Sequence, residues 1–265
     1  MSKFKAPEAL LQELGVQAPA DIKVEPIAQY CGATIVYEPL TGCEAYIAGH
    51  GRRAIITVNS DASLPRRRFS AAHELGHWMR DRGQLAIACT ERQFLAGWDD
   101  DDPERRANRY AADLLLPKFL FRPAARKKAC TLATAGDLAD MFRTSLTATA
   151  IRLVEEGDCP SMLVWFEASG RRWFARSPIL PDAVWPHARP GRGSLAHALI
   201  SGGRGPRSGI VDANEWINHP RARDFEVHED SVKIGDSILT LLWWKDERMV
   251  IELDDHDHDS DRDAF

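Results

Sequence analysis

RRRFSAAHELGHWMR, residues 66–80, reads as an amphipathic helix in which Ala72, Leu75 and Met79 recur at helical spacing and form an inward stripe. Within it, His73 and His77 stand four residues apart, one helical turn, so both imidazoles project from one face toward a common point. Two neutral imidazole nitrogens and one carboxylate are a donor set that suits Zn2+ and leave a fourth position for water. Glu74, beside that face, is placed to take a proton from such a water as it attacks a carbonyl. Gly76 lies in mid-helix, where glycine costs about 1 kcal/mol relative to alanine, and so points to close approach by another backbone.

The carboxylate is sought on the next helix. ERRANRYAADLLL, residues 104–116, follows Pro103 and an aspartate able to cap, a combination that starts helices. Glu104, Ala107, Asn108 and Ala111 fall on one narrow face, and its alanines permit tight packing against the His73–His77 helix. Glu104 is then the third metal ligand, and Asn108, one turn on, can orient a ligand imidazole. The 26 residues between His77 and Glu104 are ample for the chain to turn around. The competing reading is a surface helix whose histidines bind nothing.

Outward from this pair, short helices are expected at 6–14 and 22–31 and strands at 33–39, 45–49 and 54–59. Residues 83–102 read as a long connection, and Pro117 and Pro123 as boundaries of the segment after the second helix. LADMFRTSLTATAIRL, 138–153, has the apolar spacing of a helix-turn-helix, which either binds DNA or packs beside the metal domain. Beyond Gly157-Asp158 the texture turns to strands at 161–167, 171–177, 231–244 and 248–253, with a helix at 194–201 and a turn at 245–247.

The expected class is α+β: a zincin-like metallopeptidase domain over 1–125, a helix-turn-helix-like segment over 126–158 and a second α+β domain over 159–253. Residues 254–265, DDHDHDSDRDAF, carry the whole formal charge of −5 and read as a disordered acidic tail. No apolar run is long enough to span a membrane, and the N-terminus lacks the apolar stretch of a signal peptide, so a cytoplasmic location is expected. The five cysteines, odd in number and without a CxxC pair, read as reduced thiols.

FSAAHELGH (69–77) and ERRANRYAADLLLP (104–117) together resemble the two motifs of the ImmA/IrrE metallopeptidases, strongly over about 30–120 and weakly beyond 155. The resemblance implies that His73, His77 and Glu104 ligate zinc, that Glu74 is the catalytic glutamate and that Tyr110 is a core aromatic with an oxyanion role as the alternative. It further implies cleavage of an XRE-type helix-turn-helix repressor after DNA damage, and a GAF-like sensor in the C-terminal domain. Chain layout is also similar to peptidases of anti-phage CBASS operons, which implies a response to phage and single-stranded DNA as activator. The alternative from another class is a DNA-binding sensor whose peptidase-like domain only recognises a partner.

Two further features remain open at this level. Cys89, twelve residues after His77, is either an inert cysteine or a fourth ligand that holds the enzyme latent as a cysteine switch. The basic clusters Arg52–Arg53, Arg66–Arg68 and Arg126–Lys128 and the arginines scattered from Arg189 to Arg223, with Trp173, Trp185 and Trp216, form either a phosphate groove with stacking positions or an ordinary solvated surface. His187, His197, His219 and His228 read as surface or core histidines rather than members of the site.

Overall fold

The computed structural model describes residues 5–80, 102–202 and 207–245 in full and the backbone of 84–89. The strand expected at 248–253, most of the turn before it and the acidic tail lie outside the described residues. The protein is mixed α+β and divides into two compact units, one of residues 1–124 and 138–148, the other of 125–137 and 149–265. No described helix is long and apolar enough to cross a membrane.

The first unit opens with α1 (Pro7–Glu13) and α2 (Val24–Tyr30), then β1 (Ala33–Glu38), β2 (Ala45–His50) and β3 (Arg53–Asn59). Helix α3 (Leu64–Arg80) follows, then β4 (Gln84–Cys89), α4 (Pro103–Leu115) and α5 (Lys118–Ala125). The sheet runs β1-β3-β2-β4, with β1 parallel to β3 and β2 antiparallel to both of its neighbours. Alternation puts Ala54, Ile56 and Val58 of β3 in register with Gly49, Ile47 and Ala45 of β2, a small-to-medium apolar face of which five side chains are almost wholly buried.

Helix α3 lies on that face. Trp78 crosses Gly49, where a Cβ would come within 2.6 Å of its ring, and its indole N–H donates to the Cys31 carbonyl at 2.9 Å. At the other end, the part of the helix before the histidines is held by Arg68, whose guanidinium donates to the Ile22 carbonyl at 3.0 Å. The helix carrying both histidines is therefore fixed to the sheet at two points by groups that must be satisfied when buried.

Two expectations change here. The stretch read as connection contains β4, and its Leu85, Ile87 and Cys89 do alternate; the strand exists because β2 offers a free edge in register, Ala45 against Cys89. Pro123 sits inside α5 rather than bounding it, the sixth of its eight residues, where it leaves the Phe119 carbonyl without an intrahelical N–H of residue 123.

Helices α6 (Leu132–Phe142) and α7 (Leu146–Glu156) are joined by a tight turn, with Arg143 left-handed at φ 55° and Ser145 Oγ accepting from Ala148 N–H. Phe142 is buried against Phe121, ring centroids 5.7 Å apart, so the middle of this pair packs in the first unit.

In the second unit β5 (Ser161–Glu167), β6 (Gly170–Arg176), β7 (Ser208–Asp212), β8 (Glu226–Ile234) and β9 (Ser237–Trp243) form one antiparallel sheet in the order β6-β5-β9-β8-β7. The run 231–244 is thus two strands, not one: Gly235, at φ 60°, and Asp236 turn the chain, a Gly-Asp hairpin signal inside an otherwise continuous apolar stretch. Helix α8 (Leu195–Ile200) is pinned to β8 by Glu229. This carboxylate is fully buried and accepts from Leu195 N–H, Ala196 N–H, the Trp216 indole and Ser231 Oγ–H.

Candidate metal centre

Donor atoms converge where α3 meets α4. His73 and His77 Nε2 are 3.1 Å apart, Glu104 Oε2 lies 3.2 Å from the first and Glu104 Oε1 3.4 Å from the second. Both imidazoles are buried, while Glu104 keeps 16 % of its side-chain surface exposed, so the cluster opens to solvent on the carboxylate side. Asp102 caps α4 by accepting from Glu104 N–H at 3.0 Å, which fixes the ligand carboxylate in the first turn, where the helix dipole favours negative charge.

The chemistry of these atoms calls for a cation. His73 Nδ1 stands 2.9 Å from Asn108 Oδ1, an atom that only accepts, so the ring proton sits on Nδ1 and Nε2 presents a lone pair. That lone pair faces a carboxylate oxygen, and two acceptors at 3.2 Å repel unless something positive lies between them. Ligand atoms around a tetrahedral zinc, at roughly 2.0–2.1 Å from the metal, are about 3.3 Å from each other. The three observed separations of 3.1–3.4 Å are of that size. Among the described residues this is the one group of three or more His, Cys, Asp or Glu side chains that could hold a metal ion.

The seam between the helices explains Gly76. A Cβ there would lie 3.0 Å from Tyr110 Cβ and 3.2 Å from Ala107 Cα, so the glycine sets the spacing at which Glu104 reaches the imidazoles. Gly76→Val is expected to lower the melting temperature, at a cost of about 1–3 kcal/mol, and to weaken metal binding as α4 is pushed outward. Thermal denaturation with and without added zinc checks both effects; a variant as stable and as tight as the parent would show that the seam has slack. Tyr110 itself is buried in this seam.

Asn108→Ala removes the acceptor that holds the His73 ring and its tautomer. A loss of about 10–100-fold in zinc affinity, measured by competition with a chelating dye, is expected, with the fold intact. Glu74, between the two histidines in sequence, is fully buried on α3.

Cys89 ends β4, opposite Ala45; its side chain lies outside the described residues, and with it the expectation of a fourth ligand. Three histidines of the second unit have local work. His187 Nε2 meets the Asn214 carbonyl at 3.0 Å, His219 Nδ1 accepts from Arg221 N–H, and His228 stacks on Trp243 with centroids 3.7 Å apart. Burial, and then the nearby Lys245 charge, lower the His228 pKa.

Trp216 corrects the sequence reading. It is fully buried and spends its indole N–H on Glu229, so it offers no surface on which a base could stack. Of the three tryptophans considered for that role, Trp185 is 48 % exposed and Trp173 is partly exposed and stacked on Trp165.

Residues 28–154 match the IrrE N-terminal-like domain of peptidase family M78, a span that contains both metal-bearing helices. Over these residues the chain is similar to the ImmA/IrrE family. A metal cofactor fits both the family and the cluster. The fold is also similar to that of a solved "Mycobacterium tuberculosis transcriptional regulator", at 13 % identity and a TM-score of 0.56, over 90 % of this chain and 75 % of that one. Among curated protein sequences none matches.

Proposed function

We propose that the ImmA/IrrE-like domain is a zinc-dependent endopeptidase whose substrate is a helix-turn-helix transcriptional repressor. The observation that carries the hydrolytic reading is the convergence, at 3.1–3.4 Å, of two imidazoles of α3 and one carboxylate of α4, with Glu74 buried between the histidines in sequence. Zinc held by His73, His77 and Glu104 would polarise a scissile carbonyl and bring the pKa of a bound water to about 7. Glu74 takes the proton of the attacking water and returns it to the leaving amine nitrogen. Asn108 keeps the His73 proton on Nδ1, so that Nε2 stays available as a donor. The open side at Glu104 is where a peptide would approach.

The choice of a repressor as substrate, and of DNA damage or phage stress as the occasion, rests on the family likeness. On the same footing, the second unit is a GAF-like sensor and single-stranded DNA is its activating ligand, with Trp173 and Trp185 left as its stacking positions. Co-expression with a small helix-turn-helix protein encoded beside this chain tests the reading. Cleavage by the wild type and none by Glu74→Gln supports it. An intact repressor in the presence of the zinc-loaded wild type and a single-stranded oligonucleotide overturns it and favours a DNA-binding sensor that only recognises its partner.

A further inference from the structure

The seam between α3 and α4 carries more than the metal donors. The two helices run antiparallel along it: Gly76 meets Ala107, His73 meets Asn108, and Phe69 lines a pocket together with Ala112. On α4, Glu104, Asn108 and Ala112 recur every four residues and all three are partly exposed, so one open row leads from the metal ligand to that pocket. On α3, the row of His77, His73, Phe69 and Pro65 is buried at the two histidines and partly exposed at the other two. The seam is therefore closed over the imidazoles and open beside Phe69, whose ring centroid lies 6.3 Å from that of His73.

The pocket has a volume of about 280 Å3, its open mouth included. Pro65 and Phe69 form one wall, Ala112 and the buried Leu116 a second, and the turn between α6 and α7, with Ala148, the third. All three walls belong to the first unit. The turn is held by its own hydrogen bonds, from Thr144 N–H to the Ala139 carbonyl at 2.9 Å and from Ala148 N–H to Ser145 Oγ at 3.2 Å. Among the described residues no charged side chain lines the cavity. Sites for whole small molecules run upward from about 300 Å3, so this one is of a size for a single side chain.

We infer that this pocket takes an apolar side chain of the peptide substrate, two or three residues from the scissile bond, and that Ala112 and Ala148 set how large that side chain can be. The inference rests on the zinc-endopeptidase reading of the same seam. Phe69 and Pro65 lie one and two turns back along α3 from His73, roughly 6 and 12 Å at 1.5 Å per residue. An extended peptide advances about 3.3 Å per residue, which brings its second or third side chain from the reacting bond over the pocket. A charged side chain would lose its hydration to walls that offer no counter-charge, whereas an apolar one is removed from water. Ala112 and Ala148 leave the space that a longer side chain at either position would occupy.

The test uses the full zinc-loaded chain and, as substrate, the small helix-turn-helix protein encoded beside it, with the cut bond located by mass spectrometry. An apolar residue is expected two or three positions from that bond, and its exchange for Asp lowers kcat/KM by roughly 10–200-fold, the range of discrimination by a hydrophobic pocket. Ala112→Leu lowers kcat/KM on the parent substrate by a similar factor with zinc content unchanged. It also cuts a substrate shortened to Ala at that position faster than the parent, the reverse of the wild-type order. Ala148→Leu, on another wall, gives the same reversal. A loss of stability slows both substrates together and cannot reverse their order. Tolerance of Asp at every position within three residues of the bond overturns the pocket and leaves the endopeptidase reading standing. So does retention of the wild-type order by both variants, or loss of both substrates by both. A repressor left whole by the wild type overturns the endopeptidase reading itself, and the pocket with it.

Discussion

Glu74→Gln is expected to leave zinc bound and the fold unchanged while lowering peptide-bond cleavage by about 10²–10⁴-fold, the range assigned to a positioned proton-transfer group. The substitution is isosteric, and Glu74 is fully buried on α3, so no cavity or clash is introduced. An amide cannot accept the proton of an attacking water, whereas the donor atoms of His73, His77 and Glu104 are untouched. Exchanging a buried carboxylate for a neutral amide also removes a desolvation cost, so the melting temperature should stay level or rise. Single-turnover cleavage of the repressor, metal analysis and thermal denaturation of the same preparation separate these effects. Cleavage within about tenfold of the wild type would mean that another group takes the proton.

Glu104→Ala is the complementary experiment, with metal loss as its primary effect. The carboxylate faces both Nε2 atoms, at 3.2 and 3.4 Å, and is the only anion in the donor set. Its removal leaves two neutral imidazoles, and zinc affinity is expected to fall by more than the roughly 10–100-fold assigned to an outer partner such as Asn108, with cleavage lost in parallel. The helix itself should persist, because Asp102 caps α4 through the backbone N–H of residue 104 and not through its side chain. Equilibrium dialysis against zinc, with circular dichroism on the same samples, reads both quantities. Retention of stoichiometric zinc at wild-type affinity would remove Glu104 from the ligand set and with it the geometric argument for the centre.

The comparison of the two variants matters more than either alone. A metal-bound but inactive Glu74→Gln beside a metal-poor and inactive Glu104→Ala is the pattern of a base acting next to a ligand set. Loss of zinc from both would make Glu74 structural, and retention by both would place the metal elsewhere.

Much of this site was legible in the sequence because its parts are local. The i, i+4 spacing of His73 and His77, the capping Asp102 before Pro103 and the narrow Glu104–Asn108 face are properties of single helices, set by 3.6 residues per turn and by terminal hydrogen bonding. The second unit was less legible. Its strand β7 went unread among glycines and arginines, and the β8–β9 hairpin was hidden inside an apolar run whose Gly235-Asp236 turn carries the only local signal.

By itself the sequence determined which donor atoms this protein brings to a metal, since the residue types and their helical phase follow from short-range geometry. Only the tertiary structure decided that those atoms meet. Trp78 over Gly49 seats α3 on the sheet, and Gly76 against Ala107 and Tyr110 sets the gap between α3 and α4. These contacts join residues far apart in the chain, and their distances come from close packing, which no periodicity within a single helix or strand records.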